Sequence, residues 1–315
     1  MSTPRVTIRE HRIPSASSKP YIAVEGPDAA LWFCENGASK IGRFGPDRQT
    51  FAEFALPART AMPVGIATGA DGALWFTQKS ANRIGRITTS GAIAEYHLPS
   101  PNAGPDGIAL GPDGNVWFSE TEIGKIGRIT QDGEITEFGD GITWGARPLS
   151  LVVRDGALWF SEAGGNRIGR ITMDGKVTEF PIPSRDSQPR AMAVHPDGSI
   201  WFVETSTNAL GRIDRDGRIT EYKVPTPNAS LRGVAVGADG DLWYTANAAN
   251  KIGRMAPDGI VRGEYDIPTP ASGARCITAL RDGRLFFTQY DAGLIGEVIV
   301  PPLVVAAPRN EPTAS

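Results

Sequence analysis

The chain has 315 residues, 40% of them hydrophobic and 21% charged, with a formal net charge of −3. This is the composition of a water-soluble globular protein, and mild acidity without a Lys/Arg block argues against nucleic acid as a partner. No apolar run reaches the length of a membrane span, and two cysteines, Cys34 and Cys276, are too few for a disulfide framework.

In chain order, the opening MSTPRVTIREHRIP has no apolar signal-peptide core, so a cytoplasmic protein is expected. Residues 5–13 read as a single strand. A unit then repeats seven times. Its aromatic ruler falls at Trp32, Trp75, Trp117, Trp159, Trp201, Trp243 and Phe286, at intervals of 43, 42, 42, 42, 42 and 43 residues. Trp144 alone among the tryptophans lies outside the series. Each unit resolves into four strands; in the fourth unit they are LSLVV, ALWFSE, RIGRIT and KVTEFPIP. Asp155-Gly156 and Asp174-Gly175 mark tight turns at the first and third connections of that unit. Pro-rich segments such as LPSPNAGP end the fourth strands and lead into the next unit.

The seventh unit stops after LIGEVIV, without a fourth strand. The lone N-terminal strand resembles fourth strands elsewhere, so it is expected to complete the last unit and close a ring. Four-stranded units of this length are propeller blades. The predicted fold is therefore all-β: a seven-bladed β-propeller in one domain over residues 1–300, followed by a tail at 301–315.

Features present in nearly every unit serve the scaffold, among them the IGR arginines Arg43, Arg86, Arg128, Arg170, Arg212 and Arg254. Positions where the copies disagree point to a site. At the start of the innermost strand, units 1 to 7 carry Tyr21, Val64, Asp106, Leu149, Arg190, Arg232 and Arg275. At the end of the second strand they carry Glu35, Gln78, Glu120, Glu162, Glu204, Ala246 and Gln289. In an antiparallel hairpin these ends are adjacent, so both sets are expected to ring one mouth of the central channel. Arg190 is expected to pair with Glu204 of its own blade. Arg232 and Arg275 lack such a partner and suit a carboxylate or phosphate. Tyr290 would border them with Tyr21. The recurring glutamates are assigned chiefly to the scaffold, and no spacing marks a metal site. His11 and His97 fall on outer strands and His195 in the turn VHPDG at the opposite mouth, so no histidine is placed as a base.

The unit PDGxLWFxE, NxIGRIT, GxITEYxxPTPNA, visible with variations at 112–140 and 238–269, resembles the virginiamycin B lyase (streptogramin lyase) family across all seven units. The resemblance implies elimination within a cyclic depsipeptide, with a histidine base and a magnesium ion held by acidic residues at the channel mouth. The family's histidines lie in PHAI and PHGI segments opening the last two blades. Here LRGV and ARCI place Arg232 and Arg275 in their stead. Gly273 falls where a magnesium-linked glutamate would precede the last one, and a further glutamate aligns near Gln289 or Tyr290. Tyr21, in KPYIAV, is kept. Arginine stays protonated and cannot take the α-proton.

The expectation is a lyase-like enzyme with altered chemistry. Tyr21, Arg232, Arg275 and Tyr290 are its candidate catalytic residues, and Arg190, Glu204, Asp106, Glu162 and Gln289 its candidate ligand-binding residues. The alternative is a non-catalytic ligand- or protein-binding propeller. The partner is expected to be a small anionic molecule and the protein a monomer; no cofactor is assigned, because the residues linked to magnesium are not kept.

Overall fold

Every LWF-type segment is a strand buried at each position, from Leu31–Glu35 in the first unit to Leu285–Gln289 in the seventh. A strand buried on both faces needs a sheet partner on each side and a packed layer above and below. The structure, a computed structural model describing residues 6–301, meets that need with seven four-stranded antiparallel sheets arranged as the blades of a β-propeller. Blade 3 is typical: Pro105–Leu110 is innermost, followed outward by Val116–Glu120, Lys125–Ile129 and Ile135–Phe138. The orphan N-terminal strand, Thr7–Arg12, pairs antiparallel with Leu294–Ile299 and forms the outermost strand of blade 7. The ring is thus closed by both ends of the repeat, as the sequence implies. The expected C-terminal tail lies, after Pro301, outside the described residues. No helix occurs among the described residues, and so none is long and apolar enough to cross a membrane.

The repeated aromatics pack blade against blade. Trp32 stacks on Phe54 of its own fourth strand (5.5 Å between ring centroids) and shares a buried cluster with Leu74, Phe76 and Ile87 of blade 2. Phe33 points the other way, into a cluster with Phe286 and Ile295 of blade 7. A phenylalanine in this position needs a glycine beneath it: a Cβ at Gly127 would lie 2.2 Å from the ring of Phe118. The IGR arginines fasten the same layer. Asp28 accepts from Trp32 Nε1 at 2.9 Å and from Arg43 Nε at 2.7 Å, and Asp71 repeats this with Trp75 and Arg86. Blade 4 departs from the pattern. There Asp155 and Gly156 are both left-handed (φ 49° and 71°), as a two-residue turn requires, and Arg154 lies 3.8 Å over the Trp159 ring. In blade 3 the first connection is longer and only Gly114 is left-handed.

The glutamates ending the second strands do not ring the channel mouth, which corrects the sequence expectation. Glu35, Glu120, Glu162 and Glu204 are fully buried. Each faces a glutamate of its own fourth strand: Glu53, Glu137, Glu179 and Glu221 respectively. The other three blades show what this arrangement needs. Gln78 donates its amide to Glu95 at 2.9 Å, and Gln289 to Glu10 at 3.0 Å. In blade 6, where Ala246 leaves space, the Tyr244 hydroxyl donates to Glu264 at 3.0 Å. In three blades the fourth-strand glutamate therefore faces a buried hydrogen-bond donor, and in the other four a buried glutamate stands in that place. As carboxylates, Glu35, Glu120 and Glu162 would have no donor to accept from; as protonated acids they supply the donor themselves. Burial, together with the neighbouring carboxylate, pushes Glu35, Glu120 and Glu162 up to about 8 and Glu204 to about 7.

Protonated in the fold and ionised in the unfolded chain, these groups bind extra protons in the native state between pH 4.5 and about 8. Their contribution is complete below that window and is lost as pH rises through it. Glu120→Gln should therefore fold normally, flatten the decline of melting temperature between pH 5 and 8, and be more stable than wild type at pH 8 by roughly 1 kcal/mol or more. Urea unfolding at several pH values measures this; a uniform loss of stability at every pH would contradict the protonated pairing.

Candidate functional site

In all seven blades the innermost strand begins with a β-bulge. In blade 3, Pro105 pairs with Glu120 and Ile108 with Phe118, so Asp106 and Gly107 together oppose Ser119 alone. The same two-against-one register recurs at Tyr21, Val64, Leu149, Arg190, Arg232 and Arg275. A bulge bends its strand and re-aims the extra side chain. Where the second strand carries Ser or Thr opposite the bulge, its hydroxyl replaces the ladder bond that the bulge breaks. Ser119 Oγ accepts from Gly107 N at 2.9 Å and donates to the Leu149 carbonyl of the next blade at 2.8 Å. Thr77 and Thr245 make the same link, and Thr288 makes it from blade 7 to Tyr21 of blade 1 across the ring closure.

The re-aimed residues meet at one end of the axis. Tyr21, Asp106, Leu149, Arg190, Arg232 and Arg275 line a single cavity of about 210 Å³. One step further along the same strands, Ile66, Ile108, Leu151, Met192, Val234 and Ile277 add an apolar band. The first-strand residues singled out in the sequence are thus brought together, with Val64 alone absent from the lining. Glu162, Glu204 and Gln289 are not part of it. The expected Arg190–Glu204 pair is also absent: the bulge turns Arg190 toward the axis, while Glu204 bonds to Thr207 and faces Glu221.

The electrostatics are one-sided. Asp106 is the only acidic residue lining the cavity, and Lys79 holds it at 2.9 Å. That lysine was not foreseen; it stands just after the second strand of blade 2, outside the compared positions. Arg190, Arg232 and Arg275 form no ion pair among the described residues, and the Nε of each is buried without an acceptor. Burial, and then the charges of Arg190 and Arg275, lower the pKa of Arg232. Arg275 lies 4.0 Å from the ring centroid of Tyr290 and 5.0 Å from that of Tyr21, and the two rings meet edge-on at 5.8 Å. Tyr290 donates its hydroxyl to Asn36 Oδ1 at 3.2 Å, a partner the sequence did not suggest.

The residues at this mouth do not fit a magnesium ion. Three guanidinium groups face the cavity, its one carboxylate is bound to a lysine, and no group of three or more potential metal ligands exists among the described residues. Histidine is missing from the lining too. His11 pairs with Glu297, His97 lies on the fourth strand of blade 2, and His195 bonds to Asp197 and the Gly240 carbonyl. Cys276 lines the cavity, but burial raises its thiol to about 11.

Fold and site together define a seven-bladed propeller with an axial cavity faced by three arginines. The chain belongs to the virginiamycin B lyase family, whose sequence profile matches residues 2–152 and 142–305. A streptogramin B lyase structure is 34% identical with a TM-score of 0.89, covering 94% of this chain and 98% of its own. Virginiamycin B lyase from Staphylococcus aureus is 37% identical with a TM-score of 0.89, over 94% of this chain and all of its own. A catalytically inactive histidine-to-alanine variant of that enzyme, in complex with quinupristin, matches at the same values. No functionally curated protein matches the chain.

Tyr290→Phe removes only the hydrogen bond to Asn36 and should cost about 1 kcal/mol of stability. Tyr290→Ala also removes the ring against Arg275 and should cost ~3 kcal/mol. Equal losses for the two variants in urea unfolding would mean that the ring does not support Arg275.

Proposed function

We propose that this propeller binds a small anionic molecule at its axial mouth and acts on it by a modified lyase-type reaction. The carrying observation is the convergence of Arg190, Arg232 and Arg275 on one cavity without an ion-paired carboxylate among the described residues. Half-buried guanidinium groups left without counter-charge are costly, and an anionic ligand removes that cost through bidentate hydrogen bonds. In the reaction, Arg232 and Arg275 hold the anionic group and stabilise negative charge as it develops. Tyr21, which lines the cavity, moves the proton; Tyr290, bonded to Asn36, keeps Arg275 in place.

Ring opening of a streptogramin by a histidine and magnesium is not the reading supported here. The purified protein with magnesium and quinupristin should leave the antibiotic intact by mass spectrometry; linearised product would overturn this. A second reading, binding without turnover, is favoured by two observations: burial keeps Cys276, the thiol in the lining, protonated, and Asp106 is held by Lys79. Tyr21→Phe separates the two. Lost turnover with retained binding supports the enzyme, and unchanged behaviour supports the binder.

Anion binding itself is tested by Arg232→Ala. Removing one of three crowded cations should leave the melting temperature equal or higher, while abolishing thermal stabilisation by acidic metabolites. A lower melting temperature with undiminished stabilisation by anions would assign the arginines to the scaffold.

A further inference from the structure

We infer that the mouth is built for a compact ligand carrying at least two negative charges, as clustered carboxylate or phosphate oxygens. The inference rests on the anion-binding reading above and narrows its ligand class. The first argument is charge balance. Three guanidinium groups, from blades 5, 6 and 7, face one cavity with no ion pair among the described residues. A monocarboxylate neutralises one of them and leaves two facing each other in a half-buried site. A phosphate monoester, or a di- or tricarboxylate, neutralises two or three.

The second argument is donor geometry. A guanidinium presents five N–H donors in a planar fork, whereas a carboxylate offers about four lone-pair sites. Three forks therefore exceed what one carboxylate accepts. Arg275 has rings of Tyr21 and Tyr290 packed against it, so its N–H edge is left for the ligand. The third argument is size and polarity. At about 210 Å³ the cavity falls below the range of roughly 300–1,000 Å³ usual for drug-sized ligands. The three guanidinium groups stand on consecutive blades, whereas blade 4 carries Leu149 and blade 3 an Asp106 already held by Lys79. The ligand's charges are thus concentrated toward blades 5 to 7.

Isothermal titration calorimetry at fixed ionic strength tests this with acetate, inorganic phosphate, succinate, citrate and pyrophosphate as probes. The multivalent anions should bind at least about tenfold more tightly than acetate. Arg190→Gln, checked for folding by thermal melting, should weaken citrate and pyrophosphate by a clearly larger factor than acetate. If every anion binds with the same affinity as acetate, the multiple-charge inference fails and the anion-binding reading stands. If none binds wild-type protein, the anion-binding reading itself fails.

Discussion

Seven inner strands have to crowd around one axis, and the device that lets them do so controls the rest of the molecule. Each inner strand starts with a bulge whose stray backbone groups need partners. Hydroxyls of the second strands supply several of them and at the same time reach the next blade, as Ser119 does between Gly107 and Leu149. Thr288 makes the link from the last blade to the first. Because an orphaned buried N–H or C=O is costly, the link holds register and ring together. In every blade but the second, where Val64 is absent from the lining, one side chain is left turned into the cavity. The scaffold is thus repeated sevenfold, and the chemistry of the mouth is decided by whatever stands at seven positions.

The outer half of each blade obeys a similar rule with less obvious spelling. The fourth-strand glutamate is constant, and the buried group facing it is a protonated glutamate, a glutamine amide or a tyrosine hydroxyl. These side chains differ in charge on paper and agree in hydrogen-bond role. Glu120, Gln78 and Tyr244 are equivalent because each presents a buried donor to a half-buried carboxylate. The apparent acidity of the second strands is therefore neutral inside the fold, and it does not offset the cationic mouth.

That equivalence explains which features could be read from the chain and which could not. A period of 42 to 43 residues and a missing fourth strand in the last unit determine the seven-bladed ring and its closure. The irregular residues from Tyr21 to Arg275 were also visible as the set that differs between copies. The second set, from Glu35 to Gln289, was misplaced because strand ends were paired by simple alternation. A bulge inserts one residue, and one residue reverses the face that a side chain occupies. Arg190 consequently faces the axis while Glu204 faces away from it. Bulges at Asp-Gly or Arg-Gly leave a faint trace in sequence, since the same fold accepts Leu149-Ser150 and Tyr21-Ile22 at the same place. Lys79 and Asn36 stand outside the repeated strands, where comparison between copies carries no signal.

The family and the seven-bladed ring agree, and the axial mouth is lined by residues that differ from blade to blade. The reading of that mouth depends on arginines that form no ion pair among the described residues. The most direct test is a crystal structure of the protein soaked in selenate, with data collected at the selenium edge. The account predicts an anomalous peak at hydrogen-bond distance from the guanidinium groups of Arg190, Arg232 and Arg275. An empty mouth, with those groups bonded instead to protein carboxylates, would contradict it.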